Sequence, residues 1–293
     1  MFVNLHKLLI LFGFFCVFSP SSAQKLGHID VYLIGGQSNA TGQGYIRNMA
    51  DSMKIDTTVF IFHSGKPHLN SGKQSFTWQP LLQASESPDR FGPELGFGRH
   101  IHQLYPKSKI ALIKHAHSGT DLYKQWNPGI DMQDTAHWGI QFKVFVQTVD
   151  SGLTALKRMG YKPVIHGMIW QQGENDAIPT DSASYKYAQN LAHFITRVRK
   201  QFNAPKMPFV YGYVLPPPNT GADREIVRQA EHDIDQNSGS PLAIKNAFVV
   251  QTDDLSQRAT DKDTHYPDDH VHFGTDGTWV LGLRMAQKFV IFK

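Results

Sequence analysis

Residues 30–44, DVYLIGGQSNATGQG, decide how this chain is read. Val31, Tyr32, Leu33 and Ile34 form an apolar run of β-formers, the pattern of a strand buried on both faces in a parallel sheet. Gly35 and Gly36 end the run and a polar turn follows. Ser38 sits in that turn, just past the carboxyl end of the strand, where open α/β sheets bind their ligands. Glycine there permits a sharp turn and the close approach of a substrate. Ser38 is thus a candidate nucleophile. The same residues also suit a helix-capping turn, because Ser and Asn are good N-caps. A base and an oxyanion hole elsewhere in the chain decide between the two readings.

Outward from this stretch, short apolar runs alternate with amphipathic ones. Residues 59–62, 110–114, 164–170, 208–215 and 247–251 read as further strands. Residues 93–104, 141–159, 184–202, 224–234 and 277–289 read as helices. In the second of these, Phe142, Phe145, Val146, Val149, Leu153 and Leu156 recur at three- and four-residue steps and make one apolar face. Residues 64–90 read as a long loop over the sheet edge, and 256–269 as a polar, acidic loop. The alternation predicts right-handed βαβ units and one α/β/α domain, a three-layer sandwich on a mainly parallel sheet, from about residue 24 to the end. No internal repeat, heptad or low-complexity linker interrupts it.

Residues 1–23 stand apart. Lys7 supplies a positive start. Residues 8–18 are an apolar run too short to cross a bilayer as a helix. Ser21-Ser22-Ala23 is a small-residue cleavage site. This is the pattern of a secretory signal peptide, with an uncleaved anchor as its rival, and it predicts a secreted or periplasmic protein with no membrane attachment after cleavage. Gly13-Phe14-Phe15 lacks the small residues a lipoprotein signal needs before Cys16. Cys16 is the only cysteine and leaves with the signal, which excludes a thiol nucleophile, a disulfide framework and a zinc–cysteine site. The 270 remaining residues, 293 less 23, suffice for one sizeable core. The net charge is +4, or +3 without Lys7, and it is dispersed. No Lys/Arg run points to nucleic acid.

Chemistry concentrates at four places. Besides Ser38, the segment Asp268-Asp269-His270-Val271-His272 carries Asp269 and His272 at a spacing that sets a carboxylate against imidazole Nδ1 and leaves Nε2 to take the Ser38 proton. Its rivals are a solvated acidic loop and a metal site of Asp268, His270 and His272. After the third strand comes His117-Ser118-Gly119-Thr120-Asp121. After the fourth comes Trp170-Gln171-Gln172-Gly173-Glu174-Asn175-Asp176. A glycine amide, a side-chain amide and the Ser38 amide together make an oxyanion hole for acyl transfer. Trp78, Trp126, Trp138 and His117 suit sugar stacking and hydrogen bonding.

These blocks resemble those of the SGNH hydrolase superfamily, and more narrowly its sialate O-acetylesterase-like and acetylxylan-esterase-like branch. Gly36-Gln37-Ser38-Asn39 matches the branch's nucleophile block and Ser118-Gly119-Thr120 its second block. Trp170-Gln171-Gln172-Gly173-Glu174 matches the third, and Asp269 with His272 the terminal one. The resemblance implies a flavodoxin-like sheet of five strands, so that either 59–62 or 208–215 is peripheral. It implies a Ser38–His272–Asp269 acetylesterase acting on an acetylated carbohydrate, with no cofactor and no metal. Oxyanion donors are Ser38, Gly119 and either Gln172 or Asn175, because Gly173-Glu174-Asn175-Asp176 also fits the wider superfamily's Gly-x-Asn-Asp block. Gln37, Asn39 and Glu174 are supporting residues. A carbohydrate-binding protein without the chemistry, and a lipid esterase or thioesterase, are the rival functions.

Overall fold

The computed structural model describes residues 27–53, 58–64, 77–178, 182–215 and 222–292, so the expected signal segment lies outside the described residues. In chain order the elements are β1 (Gly27–Gly36), α1 (Ser38–Thr41), β2 (Gly44–Tyr45), β3 (Phe60–His63), β4 (Gln79–Pro80), β5 (Arg90–Phe91), α2 (Glu94–Leu104) and β6 (Ile110–Lys114). There follow α3 (Ile140–Arg158), β7 (Tyr161–Gln171), α4 (Ala183–Gln201), β8 (Phe209–Gly212), α5 (Ala222–Ile234), β9 (Ala247–Val250) and α6 (Thr275–Gln287).

Among the described residues one sheet has seven strands in the order β4-β3-β6-β1-β7-β8-β9, and β2 pairs with β5 in a separate ribbon. The six strands from β3 to β9 are parallel. The implied count of five is therefore corrected: β3 and β8 both belong to the sheet, and β4 is added. Only β4 is antiparallel, through Phe60↔Pro80 and Ile61↔Gln79. It falls in the stretch read as loop. Two residues carry no periodicity, and Pro80, lacking an N–H, suits an edge.

β1 alternates perfectly between two cores. Val31 and Leu33 face one, with Phe142 and Phe145 of α3, Leu191 and Phe194 of α4 and Val227 of α5. Tyr32 and Ile34 face the other, with Leu95 and Phe97 of α2 and Leu281 and Met285 of α6. Helices on both faces explain why residues 31–34 of β1 are apolar without a break. The chain builds one side of β1 through β3 and β6, then crosses to build the other through β7, β8 and β9. That reversal makes the carboxyl end of β1 the switch-point crevice.

A buried ion pair braces this end. Glu94, at the start of α2, lies 2.5 Å from Lys114 Nζ at the end of β6. Its other oxygen accepts from the Ala84 and Gly92 amides at 2.9 and 3.0 Å, while Lys114 also donates to the Thr41 carbonyl at 3.0 Å. Burial lowers the Lys114 pKa, against the pull of Glu94. Removing one partner of such a pair strands a buried charge. Glu94→Ala is expected to cost about 3–5 kcal/mol in urea denaturation, and Glu94→Gln with Lys114→Met markedly less. A loss below about 1 kcal/mol for the single variant would show that the pair does not brace the fold.

Candidate active site

The turn after β1 is shaped by its neighbour strand. Gly36 has φ +134°, and a Cβ there would lie 2.1 Å from the Gln171 carbonyl oxygen. That same oxygen accepts from Gln37 N at 2.9 Å. Glycine is therefore required by the close approach of β7, rather than to admit a substrate. Ser38 is the first residue of α1 and caps nothing, since no side-chain cap bond forms there. Its Oγ instead lies 2.9 Å from His272 Nε2.

His272 Nδ1 is 2.9 and 2.8 Å from the two oxygens of Asp269. Asp269 Oδ1 also accepts from the Val271 and His272 amides, each at 3.2 Å. The Asp-x-x-His spacing thus closes a tight turn on its own carboxylate. Arg258 Nη1 holds Oδ2 from the far side at 3.2 Å. Burial pushes the Asp269 carboxyl up, but the bond from His272, its charge and the two amides outweigh this and bring it down to about 2. Asn39 fastens the loop to α1: its Nδ2 donates to the Val271 carbonyl at 3.0 Å and to Glu174 Oε1 at 2.7 Å, and its Oδ1 accepts from Phe273 N at 3.0 Å. Asp268 and His270 do not join His272; His270 Nδ1 lies 2.7 Å from Gln257 Oε1. Among the described residues no three His, Cys, Asp or Glu side chains converge as a metal site would need.

The two side-chain amides read from the sequence have separate fates. Gln172 is completely buried. Its Nε2 donates to Asp176 Oδ2 at 2.6 Å, to Gln37 Oε1 at 3.1 Å and to the Thr120 carbonyl at 3.1 Å. It has no N–H left for a substrate, which corrects its reading as a donor. The Asn175 side chain lines the cleft and makes no hydrogen bond among the described residues. The Ser38 and Gly119 amides likewise have no acceptor among the described residues. Gly119 holds its amide in place with φ +67°, a conformation that favours glycine.

Beneath these groups lies a hub made by Gln37, read from the sequence as a supporting residue, and Asp176, for which no role was read from the sequence. Asp176 accepts from the Leu122 amide at 2.8 Å, the Tyr123 amide at 3.1 Å and Gln172 Nε2. Gln37 Oε1 accepts from the Gly173 and Asn175 amides at 3.3 and 3.1 Å as well as from Gln172. The segments bearing Ser38, Gly119 and Asn175 are thereby knotted together. Burial drives the Asp176 carboxyl up to about 7, against the three bonds that lower it.

The site opens into a cleft of about 480 Å³ lined by Gln37, Ser38, Gln43, Ser118, Gly119, Glu174, Asn175, Ile178, Arg224, Val271 and His272. Gln43, Arg224 and Arg258 carry no sequence signal: each reaches the site from a separate part of the chain. The four side chains expected to face a sugar do not line the cleft. Trp126 is fully buried and braces the loop after Gly119 through Nε1 to Thr120 Oγ1 at 2.9 Å. Trp78 packs on Phe62 and Trp138 on Phe142.

A serine, imidazole and carboxylate linked in this order, at the carboxyl ends of a parallel sheet inside an α/β/α sandwich, define an ester hydrolase of the SGNH type. Residues 28–291 match the family of carbohydrate esterases described as sialic acid-specific acetylesterase, and the chain belongs to that family. It is a serine esterase, a carboxylic ester hydrolase. The fold is similar to that of a protein from Arabidopsis thaliana, 17% identical with a TM-score of 0.66 over 90% of this chain and 99% of that one. It is also similar to NanS, 16% identical with a TM-score of 0.66 over 90% and 97%. A carbohydrate acetylesterase from Xanthomonas citri is 16% identical with a TM-score of 0.60, over 88% of this chain and 55% of that one. No curated protein matches the sequence.

Proposed function

We propose that this esterase removes acetyl groups from acetylated carbohydrates through an acyl-enzyme on Ser38. Ser38 Oγ attacks the acetyl carbonyl while His272 Nε2 takes its proton, and Asp269 fixes the tautomer and stabilises the imidazolium. The oxyanion is received by the Ser38 and Gly119 amides and by Asn175 Nδ2. The intermediate collapses, His272 protonates the departing sugar oxygen, and water then attacks the acyl group to release acetate and restore Ser38. The observation that carries this reading is the relay from Ser38 through His272 to Asp269, opening into the cleft. Residues 1–23, read as a signal peptide, would deliver the enzyme outside the cytoplasm.

The sugar reading rests on the family match and on Gln37, Gln43, Glu174, Asn175 and Arg224, which line the cleft and can hydrogen-bond a sugar, while most of the exposed wall is carbon. Acetate release from acetylated xylan, pectic polymers and sialic acids, set beside p-nitrophenyl acetate and octanoate, tests the reading. Acetyl esters should be preferred and at least one acetylated glycan turned over; a preference for octanoate overturns it.

The donor assignment has its own test. Asn175→Ala should lower kcat about 10²–10³-fold with little change in KM, the usual loss for one oxyanion donor. Unchanged kcat on p-nitrophenyl acetate would remove Asn175 from the mechanism.

A further inference from the structure

Trp126 is in the core and Trp78 and Trp138 pack half-buried against it, which leaves the question of what holds a glycan beyond its acetylated residue. One aromatic ring stands beside the cleft. Tyr266 lies on the same loop as the Asp269–His272 pair, and its carbonyl accepts from Asp269 N at 3.1 Å. The side chain is 44% exposed. One ring face is covered: the Arg258 guanidinium carbon sits 3.5 Å from the ring centroid. Arg258 is itself buried and fixed, with Nη1 on Asp269 and its backbone N donating to the His272 carbonyl at 2.8 Å. Arg90 flanks the ring at 5.7 Å and donates to Gln43 Oε1 at 2.5 Å. Gln43 lines the cleft, so Gln43 and Arg90 make a continuous track from the cleft wall to the ring. The hydroxyl is engaged as well: contact first with Arg90, then with Arg258, holds the phenol below its usual range.

We infer that Tyr266 is a stacking platform for a second pyranose ring, so that the enzyme binds its acetylated sugar as part of a glycan chain. This rests on the carbohydrate reading above and extends it. The electron-rich outer face of the ring matches the C–H face of a sugar. Arg258 packs on the ring at 3.5 Å from its centroid and Arg90 lies 5.7 Å from it, so the ring is already held and little conformational freedom is lost when a sugar docks.

The test compares acetylated xylose with acetylated xylotetraose, and acetylated galacturonic acid with its acetylated tetramer, alongside p-nitrophenyl acetate. Wild type should favour at least one tetramer over its monomer in kcat/KM. Tyr266→Ala should lower kcat/KM on that tetramer about tenfold more than on p-nitrophenyl acetate, chiefly through KM, and Tyr266→Phe should restore the preference. The inference is overturned if neither tetramer is favoured. It is also overturned if Tyr266→Ala lowers tetramer and p-nitrophenyl acetate by the same factor, which would make the ring a brace for Arg258 and Asp269. Turnover of monomers without any chain preference sinks the platform and leaves the esterase reading intact. Turnover of p-nitrophenyl acetate alone, with neither sugar accepted in either length, sinks the platform, and the carbohydrate reading falls with it if acetylated sialic acids are refused as well.

Discussion

Ser38→Ala is expected to abolish turnover of p-nitrophenyl acetate, by about six orders of magnitude in kcat, the loss seen when the serine of a comparable relay is deleted. The variant keeps the oxyanion donors, so a residual rate of about 10³–10⁴ over water is the most it should retain. Folding should be untouched. Among the described residues the side chain bonds to His272 Nε2, and replacing a hydroxyl by hydrogen in the cleft wall leaves no apolar cavity. An unchanged melting temperature with no turnover is the expected pair of results. Wild-type turnover in Ser38→Ala would end the acyl-enzyme mechanism whatever the fate of the other residues.

Asp269→Asn should lower turnover by about 10⁴, as in the comparable serine triad. The carboxylate accepts from His272 Nδ1, from Arg258 and from two backbone amides. An asparagine amide has one acceptor oxygen. If that oxygen keeps the backbone amides, the NH₂ faces Nδ1, forces the proton onto Nε2 and removes the base from Ser38. The carboxyl also carries stability with a definite pH window. Its folded pKa, about 2, lies below its value of 3.8 in the unfolded chain. Its contribution is therefore complete above about pH 4 and is lost as pH falls through 2. The melting temperature of Asp269→Asn should lie below wild type at pH 7, and the two should converge near pH 2. Wild-type turnover in this variant would transfer the orienting role to another acid, Asp268 or Glu174, while leaving Ser38 and His272 in place.

What the sequence by itself determined was local and periodic. The apolar run of β1, ended by two glycines, located the strand and the serine at its carboxyl end, because a strand covered on both faces has no polar positions. The three- and four-residue steps of α3 gave its core face for the same reason. Asp269 and His272 were legible because they stand three positions apart and the carboxylate closes its own turn on the Val271 and His272 amides. Tertiary structure decided everything that depends on which strand lies beside which. Gln172 and Asn175 are three residues apart and chemically alike as donors. One is consumed by Asp176, Gln37 and Thr120, and the other faces the cleft, because the turn after β7 directs the first inward and the second out. Of the tryptophans read as sugar contacts, Trp126 was taken by the core and Trp78 and Trp138 by packing against it, because large apolar rings gain most from burial. The ring left beside the cleft is Tyr266, held there by Arg90 and Arg258. Those arginines lie 176 and eight residues away along the chain, a pairing that only the packing of β5 against the loop before α6 brings about.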